Sequence, residues 1–166
     1  MNLIVTDSSV FFDIIKIQAL PEFFDLDIEV CTTDFVQKEI LESEQRKQIE
    51  HFIRLKKLTV FEMSAEEIDE LIQFKTNRVF RTLIDKTVLW KAKQLGCPLL
   101  TGDAKLRNEA TEQGVKVHGS LWVVMQLVKH EIVDKKKGIE YLEKLRIIND
   151  RLPVEEIEKL IKKLKQ

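Results

Sequence analysis

Short apolar runs alternate along the chain with longer segments of helical period. Leu3-Ile4-Val5 is apolar at consecutive positions and stops at Thr6-Asp7-Ser8-Ser9. Consecutive apolar residues, in place of strict alternation, predict a strand covered on both faces, as in a parallel sheet flanked by helices. Val10 to Leu20 carries apolar residues at helical spacing and predicts a helix that Pro21 ends or breaks into a turn. Ile28 to Thr32 predicts a second strand. Thr33 or Asp34 can then cap a helix through Phe35, Val36, Ile40 and Leu41, with Glu39 about one turn in. A helix over 44–57 and a strand over Leu58 to Phe61 follow, and Ser64 with Glu67 forms a capping box that starts the next helix.

Thr82-Leu83-Ile84-Asp85 opens a further helix that runs to Gly96, and Pro98 to Thr101 predicts a short strand ending at Gly102-Asp103. Ala104 to Glu112 reads as a helix, Val115 to His118 as the last strand, and Ser120 to Val128 as a helix after Gly119. This alternation predicts an α/β three-layer sandwich with a mainly parallel central sheet. From Lys135 the pattern changes to two charged helices, one with a stripe of Ile139, Leu142 and Leu145, the other, after Pro153, with Ile157, Leu160, Ile161 and Leu164. The expected organisation is an α/β domain over 1–131 and a C-terminal helical extension over 132–166, packed on that domain or on a partner.

Composition narrows the function classes. A chain of 166 residues, 44% hydrophobic, suits one domain with a real core. The net charge of -1 provides no overall basic field, so a nucleic-acid partner would be held by a local patch or a bound metal. No apolar run approaches the roughly 18 residues of a membrane span. The apolar start meets Asp7 too soon for a signal peptide, and a cytoplasmic location is expected. Cys31 and Cys97 read as buried core thiols, and Trp90 and Trp122, in apolar helical stripes, as core side chains in preference to base-stacking platforms. His51, His118 and His130 lack zinc-ligand spacing, the five glycines occur singly, and no Gly-x-Ser-x-Gly elbow is present.

Four acids fall where a parallel sheet places a site, beyond the carboxyl ends of its strands: Asp7 and Asp103 just after strands, Asp85 in a helix's first turn, and Glu39 on the helix after strand two. Gathered together they repel one another, and the ionised cluster is tolerable only beside hard cations. Oxygen-only ligands select Mg2+ or Mn2+. Such a site can activate water and stabilise charge on a transferring phosphoryl group. Blander roles compete. Asp85, three residues after Thr82, can complete a helix cap, Glu39 can be a solvated helix residue, and Gly102-Asp103 can be ordinary turn chemistry.

Over roughly residues 1 to 130 these segments resemble the PIN-domain ribonucleases, and among them the VapC-type toxins of prokaryotic toxin-antitoxin pairs. Val5-Thr6-Asp7-Ser8-Ser9-Val10 is similar to the family's first acidic motif, and Val36-Gln37-Lys38-Glu39-Ile40 to the segment carrying its helical glutamate. Thr82-Leu83-Ile84-Asp85 resembles the motif of the third acid, and Leu99-Leu100-Thr101-Gly102-Asp103 that of the fourth. Val117-His118-Gly119-Ser120-Leu121-Trp122 is similar to a subgroup signature after the last strand.

The resemblance implies a Mg2+- or Mn2+-dependent endoribonuclease, a homodimer, inhibited by a small antitoxin that inserts a segment near the acids. Asp7, Glu39, Asp85 and Asp103 are the expected catalytic and metal-holding residues, with Ser9 and Thr101 orienting them. Lys38, Arg81, Lys86, Lys105 and Arg107 are candidates for holding RNA phosphates. The chain departs from the pattern at Lys105, where many relatives carry another acid, at Thr82, where serine is frequent, and at Ser9, where asparagine is. The alternative is a catalytically inactive PIN-like module that binds RNA or protein.

Overall fold

The computed structural model describes residues 2–80 and 82–166. Five strands, β1 (Leu3–Thr6), β2 (Glu29–Thr33), β3 (Leu58–Phe61), β4 (Leu99–Leu100) and β5 (Val117–His118), form one sheet in the order β3-β2-β1-β4-β5. Every pairing is parallel. Ten helices surround the sheet among the described residues: α1 (Ser8–Lys16), α2 (Leu20–Phe23), α3 (Asp34–Glu39), α4 (Ser43–Arg54), α5 (Ala65–Gln73), α6 (Leu83–Leu95), α7 (Ala104–Glu112), α8 (Ser120–Lys129), α9 (Lys135–Ile148) and α10 (Val154–Leu164).

Consecutive apolar strand residues serve opposite layers, as the first strand's pattern requires. Ile4, Val30 and Leu100 join a core shared with α1, α2, α8, α9 and α10. Their neighbours Val5, Cys31 and Leu99 join a second core with α3, α6 and α7. The result is a three-layer α/β sandwich. The winding direction reverses between β1 and β4, so the crevice at their carboxyl ends is the topological switch point, where sheets of this kind bind ligands.

Several boundaries differ from expectation for local reasons. The helix expected over Val10 to Leu20 ends at Lys16, and Pro21 opens α2 at a first-turn position where its missing N–H goes unused. Gln18, at φ +62°, turns the chain between the two helices. The helix carrying Glu39 does not run on to Leu41: Glu39 is its last residue, and Ile40 turns extended and buries its side chain in the core. Cys31 is buried but Cys97 only half-buried, and both are free thiols.

The two tail helices join the larger core. α9 lies against α8 and α1, and α10 against α9. Gly138 sits where α9 meets α8; a Cβ there would collide with Val128. A buried polar knot ties the tail to α1 and α8: the Ser120 hydroxyl donates to Asp13 at 2.6 Å, and the Asn149 amide donates to both Asp13 oxygens at 3.1 and 3.0 Å. Among the described residues no helix is long and apolar enough to cross a membrane.

Candidate active site

Asp7 leaves β1 in an extended conformation and caps α1, which fixes its carboxylate at the switch point. Its Oδ1 accepts from the Ser9 amide at 2.9 Å and the Ser9 hydroxyl at 2.6 Å, and its Oδ2 accepts from the Thr101 hydroxyl. Both hydroxyls are locked in direction, because each also accepts: Thr101 Oγ1 from the Asp103 amide at 3.0 Å, Ser9 Oγ from the Gly102 amide at 2.8 Å. The turns after β1 and β4 are thereby stitched together around one carboxylate. Burial pushes the Asp7 carboxyl up to about 6, against the lowering effect of its Ser9 and Thr101 donors.

The other acids approach from three elements. Ser8 donates its hydroxyl to Glu39 Oε2 at 2.6 Å and so draws the exposed end of α3 toward the turn after β1. Asp103 caps α7 through Oδ1, which accepts from the Leu106 amide at 2.7 Å. Asp85 lies half-buried in the first turn of α6, and Thr82 makes no side-chain capping bond there. Burial, then the negative charges of Asp103 and Glu39, push the Asp85 carboxyl up to about 6, with Lys105 opposing. Asp85, Asp103 and Glu39 therefore share one electrostatic field, and Asp7 is bound to the same two turns.

Of the basic candidates, Arg81 lies outside the described residues. Among the described candidates, Arg107 is anchored to the site's backbone, donating to the Thr101 carbonyl at 2.8 Å. The Lys105 ammonium is bonded to the Val79 carbonyl, and Lys86 donates to the Ile72 carbonyl at 3.3 Å. Lys38, exposed, pairs with Asp34 at 2.7 Å. Two contributors were not anticipated. Ser8 stands beside Asp7 in the sequence, so its hydroxyl was at least in view. Glu109, fully buried, accepts from the amides of Asn77 and Arg78 at 2.9 and 3.0 Å and anchors the segment leading to Thr82; nothing in a helical glutamate signals this.

Among the described residues, no three His, Cys, Asp or Glu side chains converge closely enough to hold a metal ion. The donor chemistry nonetheless fits a hard divalent cation. The acids offer only oxygen, the charges of Asp103 and Glu39 raise the proton affinity of Asp85, and Asp7, the most deeply buried, has hydroxyl and amide donors but no cationic partner among the described residues.

A parallel α/β sandwich with the Asp7 carboxylate held at its switch point defines the class. The chain belongs to the PIN-domain family, whose model, described as PIN domain, matches residues 3–166 and so includes both tail helices. PIN domains are typically nucleases and generally use divalent metal ions. Among solved structures, the chain is similar to a PilT N-terminus domain protein, SSO1118, from the archaeon Sulfolobus solfataricus P2. The two are 15% identical, with 77% of this chain and 95% of that one covered and a TM-score of 0.48. A domain of a functionally unknown protein from Methanocaldococcus jannaschii DSM 2661 is 21% identical, with 72% and 91% covered and a TM-score of 0.44. No curated protein matches the chain.

The bonding pattern gives Thr101 a measurable role. Thr101→Val removes a donor from Asp7 and leaves the Asp103 amide unpaired, so the Asp7 carboxyl rises further and ionises only at higher pH. Nuclease activity is expected to fall by about 10- to 100-fold, with the acid limb of its pH profile displaced upward. Thr101→Ser should restore both, and a normal profile in the valine variant would remove Thr101 from the site.

Proposed function

We propose that the chain is a metal-dependent endoribonuclease that hydrolyses RNA phosphodiester bonds. The observation that carries this reading is the Asp7 carboxylate, buried at the switch point and held by Ser9 and Thr101, together with Asp85, whose carboxyl is pushed up by burial and by the charges of Asp103 and Glu39. Asp7, Glu39, Asp85 and Asp103 would hold Mg2+ or Mn2+, which when bound supplies an activated water and offsets charge on the phosphoryl group. Ser9 and Thr101 hold Asp7 in one orientation, leaving its remaining lone pairs for the site. Arg107 sits where a guanidinium can steady a flanking phosphate.

We further assign the chain to the toxin side of a toxin-antitoxin pair, acting in the cytoplasm as a homodimer and inhibited by a small antitoxin. Support comes from apolar side chains exposed next in sequence to the acids and their supports: Leu41 (78% exposed) after α3, Val79 (85%) at the Lys105 contact, and Leu83 (44%) ahead of Asp85. A protein partner would cover such positions.

The test is cleavage of a mixed panel of single-stranded and structured RNAs with Mn2+, Mg2+ or chelator, beside Asp85→Asn and Asp103→Asn. Asparagine caps helices as well as aspartate does, so the second variant removes charge while keeping α7 intact. Metal-dependent cutting lost in both variants is the expected result; cutting that survives chelator or both substitutions overturns the reading. A specific observation favours a second reading, a PIN-like binding module without turnover: the acids do not form a ready-made cage among the described residues, and Lys105 occupies a position that is acidic in many relatives. RNA binding without Mn2+ binding in a calorimetric titration would select the module.

A further inference from the structure

The turn around Asp103 borders a second feature that contains no carboxylate named above. A groove of about 530 Å3 begins at Gly102, whose amide already serves Ser9, and runs over Gly119 to Trp122 and the turn between α9 and α10. Gly119 forms the floor because a Cβ there would stand 2.8 Å from the Arg107 guanidinium, which crosses at this point to reach Thr101. The opposite wall carries Arg151, exposed, whose amide donates to Asn149 Oδ1 at 3.2 Å while the Asn149 amide group is tied to buried Asp13. Trp122, half-buried, is stacked on His118 with ring centroids 4.1 Å apart and planes 17° apart. Burial, with the charges of Lys116 and Arg107, holds the His118 imidazole below its ordinary range and so favours the neutral ring.

We propose that this groove is a subsite for single-stranded RNA next to the scissile phosphate, with a backbone phosphate between Arg107 and Arg151 and a base against the His118–Trp122 pair. It rests on the ribonuclease reading and deepens it, and it makes the C-terminal helices part of substrate recognition. Guanidinium groups for the backbone with an aromatic platform for a base are what single-strand sites combine. Arg107 belongs to both the groove and the site's backbone, so a strand bound there continues directly to the acids. Glu156 is the opposing charge in the lining.

The full chain is titrated in chelator with a short labelled single-stranded RNA, read by anisotropy over a range of salt. Arg151→Gln should weaken binding about fivefold and flatten the dependence of log K on log salt by about 0.7. Trp122→Ala should weaken it about tenfold with the slope unchanged. Glu156→Lys should tighten binding about threefold and steepen the slope, a gain that misfolding cannot imitate. Wild-type affinity and slope in Arg151→Gln and Glu156→Lys, with metal-dependent cleavage intact, overturn the groove and leave the ribonuclease standing. A wild-type chain that neither binds nor cuts RNA removes both. If Arg151→Gln weakens binding of polyglutamate but not of RNA, the groove serves a protein partner and the proposal fails.

Discussion

An Asp7→Asn variant should lose about a thousandfold or more in RNA cleavage and at the same time unfold at a higher temperature than the wild type at pH 7 in chelator. The two effects share one cause. Asp7 is 4% exposed and its carboxyl is pushed up to about 6, above the ordinary 3.8, by burial. A folded-state pKa above the unfolded one means that the folded chain holds the proton more tightly, so ionisation costs stability. The cost is absent below about pH 4, grows as pH rises toward 6, and is complete above it, at about 3 kcal/mol as an upper figure. Asparagine removes that charge while keeping an oxygen for the Ser9 donors, and its amide can donate to Thr101. The same charge is what a divalent cation needs, and losing about 4 kcal/mol of transition-state stabilisation corresponds to a thousandfold in rate. Thermal melts of both proteins at pH 7 and pH 4 check the argument: the gain should be present at the first and vanish at the second. Equal melting at pH 7, or undiminished cleavage, would show that Asp7 is not the strained, functional carboxylate described here.

Asp7 and Asp103 were legible because each ends an apolar run too continuous for a half-exposed strand, and the switch between β1 and β4 brings those two ends together. The pattern puts Glu39 on the helix after strand two, but periodicity cannot show that the helix stops there, where Ile40 turns extended and is buried. For Asp85 the sequence leaves capping and chemistry balanced; in the structure Thr82 makes no side-chain capping bond, and the Asp103 and Glu39 charges, invisible to periodicity, reach the Asp85 carboxyl. The basic residues show the opposite limit. Sequence displays a charge at Lys105 without revealing that a backbone carbonyl already holds its ammonium. Trp90 is core as its stripe suggests, whereas Trp122 lies at the edge of a similar stripe and is half-buried at a groove. A stripe marks the inward face of a helix and leaves open where the core ends.

A chain shortened to residues 1–131 should fail to fold, despite ending where the alternating pattern ends. The periodicity of α9 and α10 predicts an apolar stripe on each and is silent on what covers it; α9 turns out to lie on α1 and α8, and α10 on α9. Tyr141, Leu142, Leu145, Ile157, Ile161 and Leu164 are each no more than 6% exposed and lie in the same cluster as Phe11, Ile14, Val124 and Leu127. Burying six such side chains contributes roughly 10–20 kcal/mol, as much as the entire net stability of an ordinary domain, about 5–15 kcal/mol. Truncation also strips Asp13 of the Asn149 amide, leaving a buried carboxylate with Ser120 as its side-chain donor, and deprives Glu22 of the Tyr141 hydroxyl that donates to it at 2.9 Å. The milder Leu142→Ala isolates the packing contribution, with an expected loss of about 2–5 kcal/mol. Circular dichroism and denaturant titration of the shortened chain and of the alanine variant decide the matter. A cooperative transition in the 1–131 chain, with unchanged Leu142→Ala stability in the full one, would show that the tail is an appendage on an autonomous sheet domain; aggregation or a transition without cooperativity would show that the sheet's outer layer is completed only by the last two helices.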